Sequence, residues 1–344
     1  MPASALLLRA SANRVYGAAT FGLAAAELAV LDRALLGGVV HGTRRETIAG
    51  VDYLVVDTDA PLTDDQVRVV SNLSSLHALF TQEGEVLRPR LVSPLGVVDD
   101  DIVTIQRYAG KTNEAFTHLL VNVALASSGD AFWRVLDGEH VQLLDPACGR
   151  GTSLNRAAVY GMDATGIELE QRDVEAYAQF LLTWLKDKRL KHHLDQAKLR
   201  KGRDVPAHRI TVTYGRDKDR STHRVLDIIH DDTLGARTHL KARTADVLVC
   251  DLPYGVQHSS QAASGGASRG PAGLLRDALP VWLDLLRPGA GMALAWNRHT
   301  MSRSVLTELV IGAGFELVGD DPDAFVHRVD RSILRDVLIA TRPR

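Results

Sequence analysis

The chain has 344 residues, of which 45% are hydrophobic and 24% are charged, and its formal net charge is -2. This length is enough for one large domain and a smaller one. A near-neutral chain lacks the overall positive field typical of nucleic-acid binding proteins, so any such contact must come from a local patch. No apolar run reaches the length of a membrane span, and the N-terminal stretch lacks the unbroken apolar core of a leader. We therefore expect a soluble, cytoplasmic protein.

Residues 1–95 have the pattern of a small α/β domain. The apolar-rich stretch 19–36 predicts a helix, residues 51–56 predict a strand, and Thr63-Asp64-Asp65-Gln66 is typical of a helix start. Residues 87–95 contain two prolines, so we expect an edge strand or an extended connector there. Nothing in this part indicates catalytic chemistry.

Residues 96–135 are predicted to form a connector with a helix that leads into the larger domain. Gly110-Lys111-Thr112 is similar to the end of a phosphate loop, but Ile105 stands where such a loop needs its first glycine. Thr112 or Asn113 is instead expected to cap a helix whose apolar residues recur at helical spacing.

From residue 136 to residue 344, apolar strands alternate with helical patterns, which predicts a parallel sheet with helices on both faces. The predicted strands are 141–145, 164–168, 225–230, 246–251, 292–296, 315–318 and 337–340.

The first of these strands runs into a glycine turn, Asp145-Pro146-Ala147-Cys148-Gly149-Arg150-Gly151-Thr152, and then into a helical pattern. Gly149 and Gly151 allow a ligand to lie against the loop and the helix N-terminus. The next strand ends on Glu168, where a nucleotide-binding α/β unit has the carboxylate that binds ribose hydroxyls.

Phosphate is the wrong partner for this loop. Leu154 occupies the position of the third glycine of the phosphate-binding form, and Asp145 adds a negative charge that would repel pyrophosphate. An adenosine ligand with a positive charge and no phosphate fits better, which points to S-adenosylmethionine (SAM). We expect Asp145, Ala147, Cys148, Gly149, Gly151, Thr152 and Glu168 to bind it.

Residues 186–224 form a basic insertion with 13 Lys and Arg against 5 Asp, a local net charge of +8 in a chain of -2. This polarity favours a positive face directed at phosphates, although such a charge run is also typical of a solvated surface.

Two acidic motifs follow. The strand ending at His230 delivers Asp231-Asp232, one of which we expect at the adenine amino group. The strand ending at Cys250 delivers Asp251-Leu252-Pro253-Tyr254, which we interpret as the catalytic motif. Asp251 and the Leu252 carbonyl can accept both N–H bonds of an amino group on a planar ring, Pro253 turns the chain, and Tyr254 can stack on the ring.

These motifs resemble those of the class I methyltransferases that modify the exocyclic N2 of guanosine in tRNA, the position-10 enzymes and their THUMP-domain relatives. The resemblance covers residues 106–344. It rests on Asp145–Thr152, similar to the family's D-P-x-C-G-x-G-T, and on Asp251–Gly255, similar to its D-P/L-P-Y/F-G. Bacterial relatives of unassigned substrate share the segment Lys111–Thr117, which adds Phe116 and Thr117 to the expected cofactor site.

The resemblance implies a seven-stranded Rossmann-like class I methyltransferase sheet with a final hairpin, SAM as cofactor, no metal, and RNA, above all tRNA, as the partner. The 95 residues before the connector are fewer than the family's ferredoxin-like piece and THUMP module, so it supports amino-group methylation more strongly than tRNA as substrate. Eukaryotic position-10 enzymes act with a small activating partner, and no residue pattern here indicates one.

Two other functions fit the same motifs. Methylation of adenine in DNA, of a protein amide or of a small metabolite needs the same residue types around the accepting nitrogen. A SAM-binding or RNA-binding protein without turnover is the third alternative, which the complete motif from Asp251 to Tyr254 disfavours.

Overall fold

The computed structural model describes residues 2–9, 14–84, 86–199, 207–215, 219, 222–253, 270–319 and 321–344. The chain forms two compact units. One contains residues 1–95 and 319–337, and the other contains residues 96–318 and 338–344. The sequence patterns do not predict the return of residues 319–337 to the first unit.

The first unit begins with an alternation of strands and two helices: β1 (Ala3–Leu8), α1 (Arg14–Leu31), β2 (Val40–Ile48), β3 (Val51–Thr58), α2 (Asp64–Val70), β4 (Leu76–Glu83) and β5 (Val86–Arg90). The antiparallel sheet has the strand order β2-β3-β1-β4-β5. This is the β-α-β-β-α-β succession of ferredoxin-like folds with one added edge strand. The predicted helix 19–36 overlaps α1 and the π-helical turn Asp32–Leu36 that follows it, and the predicted strand 51–56 lies within β3. The predicted helix start is also confirmed, because Thr63 and Gln66 cap α2 reciprocally.

The second unit contains most of the remaining elements: α3 (Asp101–Thr104), α4 (Glu114–Ala126), α5 (Ala131–Leu136), β6 (Gln142–Asp145), α6 (Thr152–Val159), β7 (Asp163–Glu168), α7 (Gln171–Asp187), β8 (Lys191–Leu199), β9 (Ala207–Gly215), β10 (Arg224–His230), β11 (Ala245–Asp251), α8 (Pro271–Leu285), β12 (Leu286–Asn297), α9 (Arg303–Gly312) and β13 (Glu316–Val318). The short strand β14 (His327–Arg328) belongs to the first unit, and β15 (Leu334–Thr341) is divided between the two.

The large sheet has the strand order β13-β15-β12-β11-β6-β7-β10-β9-β8. All seven predicted strands are present, as β6, β7, β10, β11, β12, β13 and β15. The five central ones pair in parallel, and β13 pairs antiparallel with β15. The expected Rossmann-like α/β sheet with a final hairpin is therefore confirmed.

Strands β8 and β9 are additional to the predicted set. They lie within the basic segment 186–224 and extend the sheet antiparallel from β10. In β9, Ile210, Val212 and Tyr214 alternate with polar residues, the pattern of a strand with one buried face. The segment is thus a hairpin that continues the sheet.

Helix α4 lies directly on strand β12. Asn113 caps the helix by accepting hydrogen bonds from Ala115 N at 2.9 Å and Phe116 N at 3.2 Å, as the sequence predicted. A Cβ on Gly291 of β12 would lie 2.1 Å from the Ala124 carbonyl oxygen, so only glycine permits this approach.

We expect Gly291→Ala to lower the free energy of unfolding by roughly 1–3 kcal/mol or more, because the clash is with backbone that cannot rotate away. Gly312→Ala at the end of α9 is the matched control, since a Cβ there meets no atom within 4 Å. All four tryptophans lie in the second unit, so urea unfolding followed by tryptophan fluorescence measures the effect. Equal unfolding midpoints for the two variants would contradict this packing.

Candidate active site

Three acidic residues end three neighbouring strands. β6 pairs in parallel with β7 on one side and with β11 on the other. Because the carboxyl ends of parallel strands share one edge of a sheet, Asp145, Glu168 and Asp251 stand at the same edge. Open α/β sheets bind their ligands at this edge.

The glycine loop after β6 is held by backbone hydrogen bonds, from Cys148 N to Ile167 O at 2.9 Å and from Gly151 N to Cys148 O at 2.8 Å. Gly149 and Gly151 have φ values of 52° and 73°, in the left-handed region that favours glycine. A Cβ on Gly151 would lie 2.4 Å from the Tyr177 ring. Both glycines are therefore required by the loop itself.

The departure at Leu154 also has a structural reason. Leu154 is fully buried at the start of α6, and the glycine that permits close packing is Gly166, on the facing strand β7. A Cβ on Gly166 would lie 2.5 Å from Cys148 Sγ and 2.8 Å from Leu154 Cδ1. Helix α6 and strand β7 therefore still approach each other closely, and the glycine that permits this lies on β7 instead of on α6.

The two cysteines, one in the glycine loop and one in β11, are neutral packing groups. Cys148 and Cys250 are both buried, and burial raises the pKa of each thiol well above its ordinary value. Nearby carboxylates, Asp145 among them, raise both pKa values further. Neither thiol is activated as a nucleophile.

Glu168 is fixed by two backbone donors. Gly149 N donates to Oε2 and Glu170 N donates to Oε1, both at 2.8 Å. The first bond ties the tip of β7 to the glycine loop, so the carboxylate that the sequence assigned to ribose binding is preoriented beside that loop.

Asp145 is buried at the base of the loop. Its Oδ1 accepts from Ala147 N at 3.1 Å, and its Oδ2 accepts from the Ser153 hydroxyl. Burial raises the pKa of Asp145 to about 7, the two hydrogen bonds oppose this shift, and the negative charges of Asp251 and Glu168 add to it. Three carboxylates near one another repel a phosphate and attract a cation.

The predicted pair Asp231 and Asp232 divides into two roles. Asp231 is buried, its Oδ2 hydrogen-bonds with His239 Nε2 at 2.6 Å, and its backbone N–H donates to Glu168 O at 3.1 Å. Asp232 caps a 3₁₀ turn through Leu234 N at 3.0 Å, and no group in the described ranges bonds to its second carboxylate oxygen. Asp232 is therefore the one with capacity for a further donor.

Sequence reasoning missed Leu169, which follows Glu168 directly. Its side chain is 40% exposed although it is large and apolar, and its carbonyl accepts from His230 Nε2 at 3.0 Å. Leu169 thus adds an exposed apolar group directly after the carboxylate that the sequence assigned to ribose binding, and such a group is suited to the face of a purine. The signal was an apolar residue immediately after the acidic strand end.

Of the predicted catalytic motif, the structure describes Asp251, Leu252 and Pro253. Asp251 Oδ2 accepts from the Thr112 hydroxyl at 2.5 Å, and Leu252 N donates to Ala295 O on β12 at 2.9 Å. Pro253, which follows Leu252, is half-buried. Tyr254, the predicted stacking residue, lies outside the described residues.

The segment before α4 reaches the start of α6 and the tip of β11. We call residues 108–113 the strap. Tyr108 shares a hydrogen bond of 3.0 Å with Thr152 at the start of α6, and Thr112 bonds to Asp251. Phe116 and Thr117, which the resemblance assigned to the cofactor site, are both buried within α4. Thr112, five residues earlier than Thr117, is the residue of this segment that contacts the catalytic motif.

Clustered metal ligands and membrane-spanning helices are both absent from the described ranges. No group of three or more His, Cys, Asp or Glu side chains there is arranged to hold a metal ion. None of the helices there is both long and apolar enough to cross a membrane.

Residues 134–266 match the family model described as RMKL-like, methyltransferase domain. No curated protein matches the chain.

The chain is also similar to solved structures at low sequence identity. TrmN from Thermus thermophilus has 12% identity and a TM-score of 0.44, with 99% of this chain and 100% of that one covered. An S-adenosylmethionine-dependent methyltransferase from Clostridium acetobutylicum has 8% identity and a TM-score of 0.36, with 63% and 91% covered. An rRNA methylase from Streptococcus thermophilus has 12% identity and a TM-score of 0.34, with 60% and 88% covered.

Because these TM-scores lie below 0.5, the class of the second unit follows from its strand order, its site and the family model. This unit is a class I methyltransferase domain whose cofactor is SAM. The site fits that cofactor, since the loop backbone can approach a ligand closely and the acidic strand ends match a sulfonium cation better than a phosphate.

We expect SAM affinity to rise with pH up to about pH 7 and then to level off. Asp145 carries a proton below its pKa of about 7, and a cationic ligand favours the ionised form, so binding releases that proton. The gain is at most about tenfold per pH unit.

Calorimetry from pH 6 to pH 8 measures this dependence. The ligand's own amino group titrates equally with every variant, so Asp145→Asn is the control that removes only the protein's contribution. An unchanged pH dependence in this variant would show that Asp145 is not the linked group.

Proposed function

We propose that the protein transfers the methyl group of SAM to an exocyclic amino group on a planar ring, with N2 of guanosine in tRNA as the preferred acceptor. The observation that carries the proposal is the pairing of β6 with β11, which brings Asp251-Leu252-Pro253 beside the glycine loop. SAM supplies an electrophilic methyl group on a sulfonium, so the protein has to hold and align the acceptor.

For the cofactor, we assign the glycine loop and three acidic residues. Glu168 is held where it can accept the ribose hydroxyls, and Asp232 has an oxygen for the adenine amino group. Asp145 provides negative charge at the base of the loop. Gly149 and Gly151 keep the surface of the loop free of side-chain bulk.

For the acceptor, we assign Asp251 and the backbone that follows it. The lone pair of a ring-conjugated amino group is delocalised, which makes its nitrogen a poor nucleophile. Hydrogen bonds from both N–H groups to Asp251 and to the Leu252 carbonyl draw the nitrogen towards tetrahedral geometry, and they strengthen as positive charge develops on it. We assign Pro253 to the exposure of this carbonyl, which lies just beyond the end of β11 at Asp251. Tyr254, which lies outside the described residues, is assigned to stacking on the ring.

RNA as the substrate class is supported by charge. Among the 13 cations of the segment 186–224, Lys188, Arg209 and Arg224 are engaged within the protein by carboxylates or carbonyl groups. Six others lie outside the described residues. Four remain that have no acidic partner among the described residues: Lys186, Arg189, Lys191 and Lys198.

Lys191 and Lys198 are both exposed on β8, the edge strand of the sheet. Strand β8 is exposed along most of its length, so its lysines are accessible to a large polyanion. Phosphate contacts by such lysines are sequence-independent and sensitive to salt. We therefore assign β8 to the RNA backbone and the strand tips to the modified base.

A groove near the amino ends of β6, β7 and β11 is lined by Asp163, Asp227 and Asp246 as well as by Arg209, Lys241 and Arg287, so it adds no net positive charge to the β8 edge. Its volume is about 430 Å³, and polar side chains of β6, β7, β9 and β10 contribute to its lining. It exists because only a 3₁₀ turn, Thr233–Thr238, connects β10 to β11, where a doubly wound sheet usually has a helix. The Lys241 side chain has no acidic partner among the described residues.

The central test is Asp251→Asn. We expect turnover to fall by roughly 10²- to 10⁴-fold, because the amino group loses its charged acceptor, while SAM affinity stays within about twofold. Mass spectrometry of nucleosides from treated tRNA measures the product, and calorimetry measures SAM binding. Asp130→Asn, on an exposed residue outside the site, is the matched control.

The same assay distinguishes the alternatives. Methylated guanosine in tRNA supports the full proposal. Methylated adenine in DNA with unmodified tRNA would keep the chemistry and overturn the substrate. Full turnover by Asp251→Asn would overturn the assignment of the catalytic motif.

Charge reversal on β8 tests its contact with the RNA backbone. We expect the double variant Lys191→Glu, Lys198→Glu to weaken tRNA binding at least tenfold at low salt and to reduce the slope of log affinity against log salt by about 1.4–1.8, since two phosphate contacts are lost. The variant Lys191→Arg, Lys198→Arg keeps the charge and should bind like the wild type. A salt slope equal in all three proteins would exclude β8 from the interface.

A further inference from the structure

The strap brings a hydroxyl group to the catalytic carboxylate. Thr112 Oγ1 donates to Asp251 Oδ2 at 2.5 Å, although the two residues are 139 positions apart in the chain. No repeating pattern or local turn requires this contact, so it arises from the tertiary fold alone.

Thr112 is held in place by its two neighbours. Lys111 is largely buried, and its ammonium donates to Val103 O at 2.6 Å and to Glu114 Oε1 at 2.5 Å. Asn113 is fixed as the N-cap of α4. The hydroxyl of Thr112 therefore projects from a backbone that is anchored on both sides.

The start of the strap is anchored as well. The Tyr108 hydroxyl bonds to Thr152 at 3.0 Å, and Arg150 lies over the Tyr108 ring with its guanidinium carbon 4.9 Å from the ring centre. Arg150 is in turn held by Asp173 at 2.9 Å. The strap is thus held against the glycine loop and the start of α6 through Tyr108, and it contacts Asp251 through Thr112.

A catalytic aspartate needs such a contact for a geometric reason. Rotation about the side-chain bonds of Asp251 changes the plane of its carboxylate, and an acceptor that is misplaced by about 1 Å costs roughly 10²-fold in rate. An ionised carboxylate has about four lone-pair sites, so one hydroxyl fixes the plane without exhausting its capacity to accept.

We propose that Thr112 is a positioning residue, whose hydroxyl holds the Asp251 carboxylate in the orientation that accepts an N–H group of the substrate. This inference rests on the proposed function of Asp251. The role assigned to Thr112 is exerted through that carboxylate.

The test compares Thr112→Val with Thr112→Ser. Valine keeps the shape and removes the hydroxyl, whereas serine keeps the hydroxyl. We expect Thr112→Val to lower kcat about 10- to 100-fold with KM for tRNA and Kd for SAM within twofold of wild type, and Thr112→Ser to stay within about threefold in kcat. Thermal unfolding followed by tryptophan fluorescence verifies that both variants fold.

A double variant separates positioning from an independent role. If Thr112 acts only through Asp251, Thr112→Val adds no further loss to Asp251→Asn. An additional loss of tenfold or more would mean that Thr112 contributes elsewhere and would overturn the inference. So would a Thr112→Ser variant as slow as Thr112→Val, or a Thr112→Val variant that binds SAM weakly.

The inference and the proposed function fail in different ways. Full turnover by Asp251→Asn would refute the function assigned to Asp251. Loss of turnover in Asp251→Asn together with normal kcat in Thr112→Val would leave that function standing and refute the positioning role alone.

Discussion

The concentration of negative charge at one edge of the sheet is the constraint on which the site depends. Parallel pairing of β6, β7 and β11 forces Asp145, Glu168 and Asp251 to the same edge. Buried charge of one sign is unfavourable unless a proton, a donor or a counter-ion offsets it. Burial and the neighbouring carboxylates raise the pKa of Asp145 to about 7, so near neutral pH either a proton or a ligand cation can offset its charge.

The fold gives each carboxylate a hydrogen-bond donor from a different connection. Ser153 of α6 donates to Asp145, Gly149 of the loop donates to Glu168, and Thr112 of the strap donates to Asp251. A charge-assisted hydrogen bond is stronger than a neutral one, so these contacts both offset repulsion and fix orientation. The hydrogen bonds that offset the repulsion among the three carboxylates therefore also fix the orientation of each carboxylate.

The sequence predicts the parts of this protein that depend on local pattern. The seven strands, the glycine loop and the acidic strand ends follow from periodicity and spacing. The hairpin β8–β9 was not predicted, because its charge obscured a strand signal that residues 209–214 do carry. The first unit shows the same limit, since β1, β2 and β4 lack a distinctive pattern while the capping box of α2 is local.

Tertiary contacts account for what the sequence left open. Nothing local separates Asp231 from Asp232, and the difference comes from His239, which occupies only the first. The compensation between Leu154 and Gly166 joins two elements, so a motif written for one loop cannot express it. The role of Thr112 needs the approach of two segments 139 residues apart, which neither segment encodes by itself.

The acidic edge also has a consequence for turnover. A sulfonium carries a positive charge that it loses when its methyl group leaves, so on the proposed assignment the attraction of Asp145 and Glu168 for the ligand weakens as the product forms. With that attraction reduced, protonation of Asp145 again becomes the favourable way to offset its neighbours, since its pKa lies near neutrality. The acidic strand ends thus favour the cationic cofactor over its neutral thioether product. Binding of the one and release of the other follow from the same arrangement of strand ends.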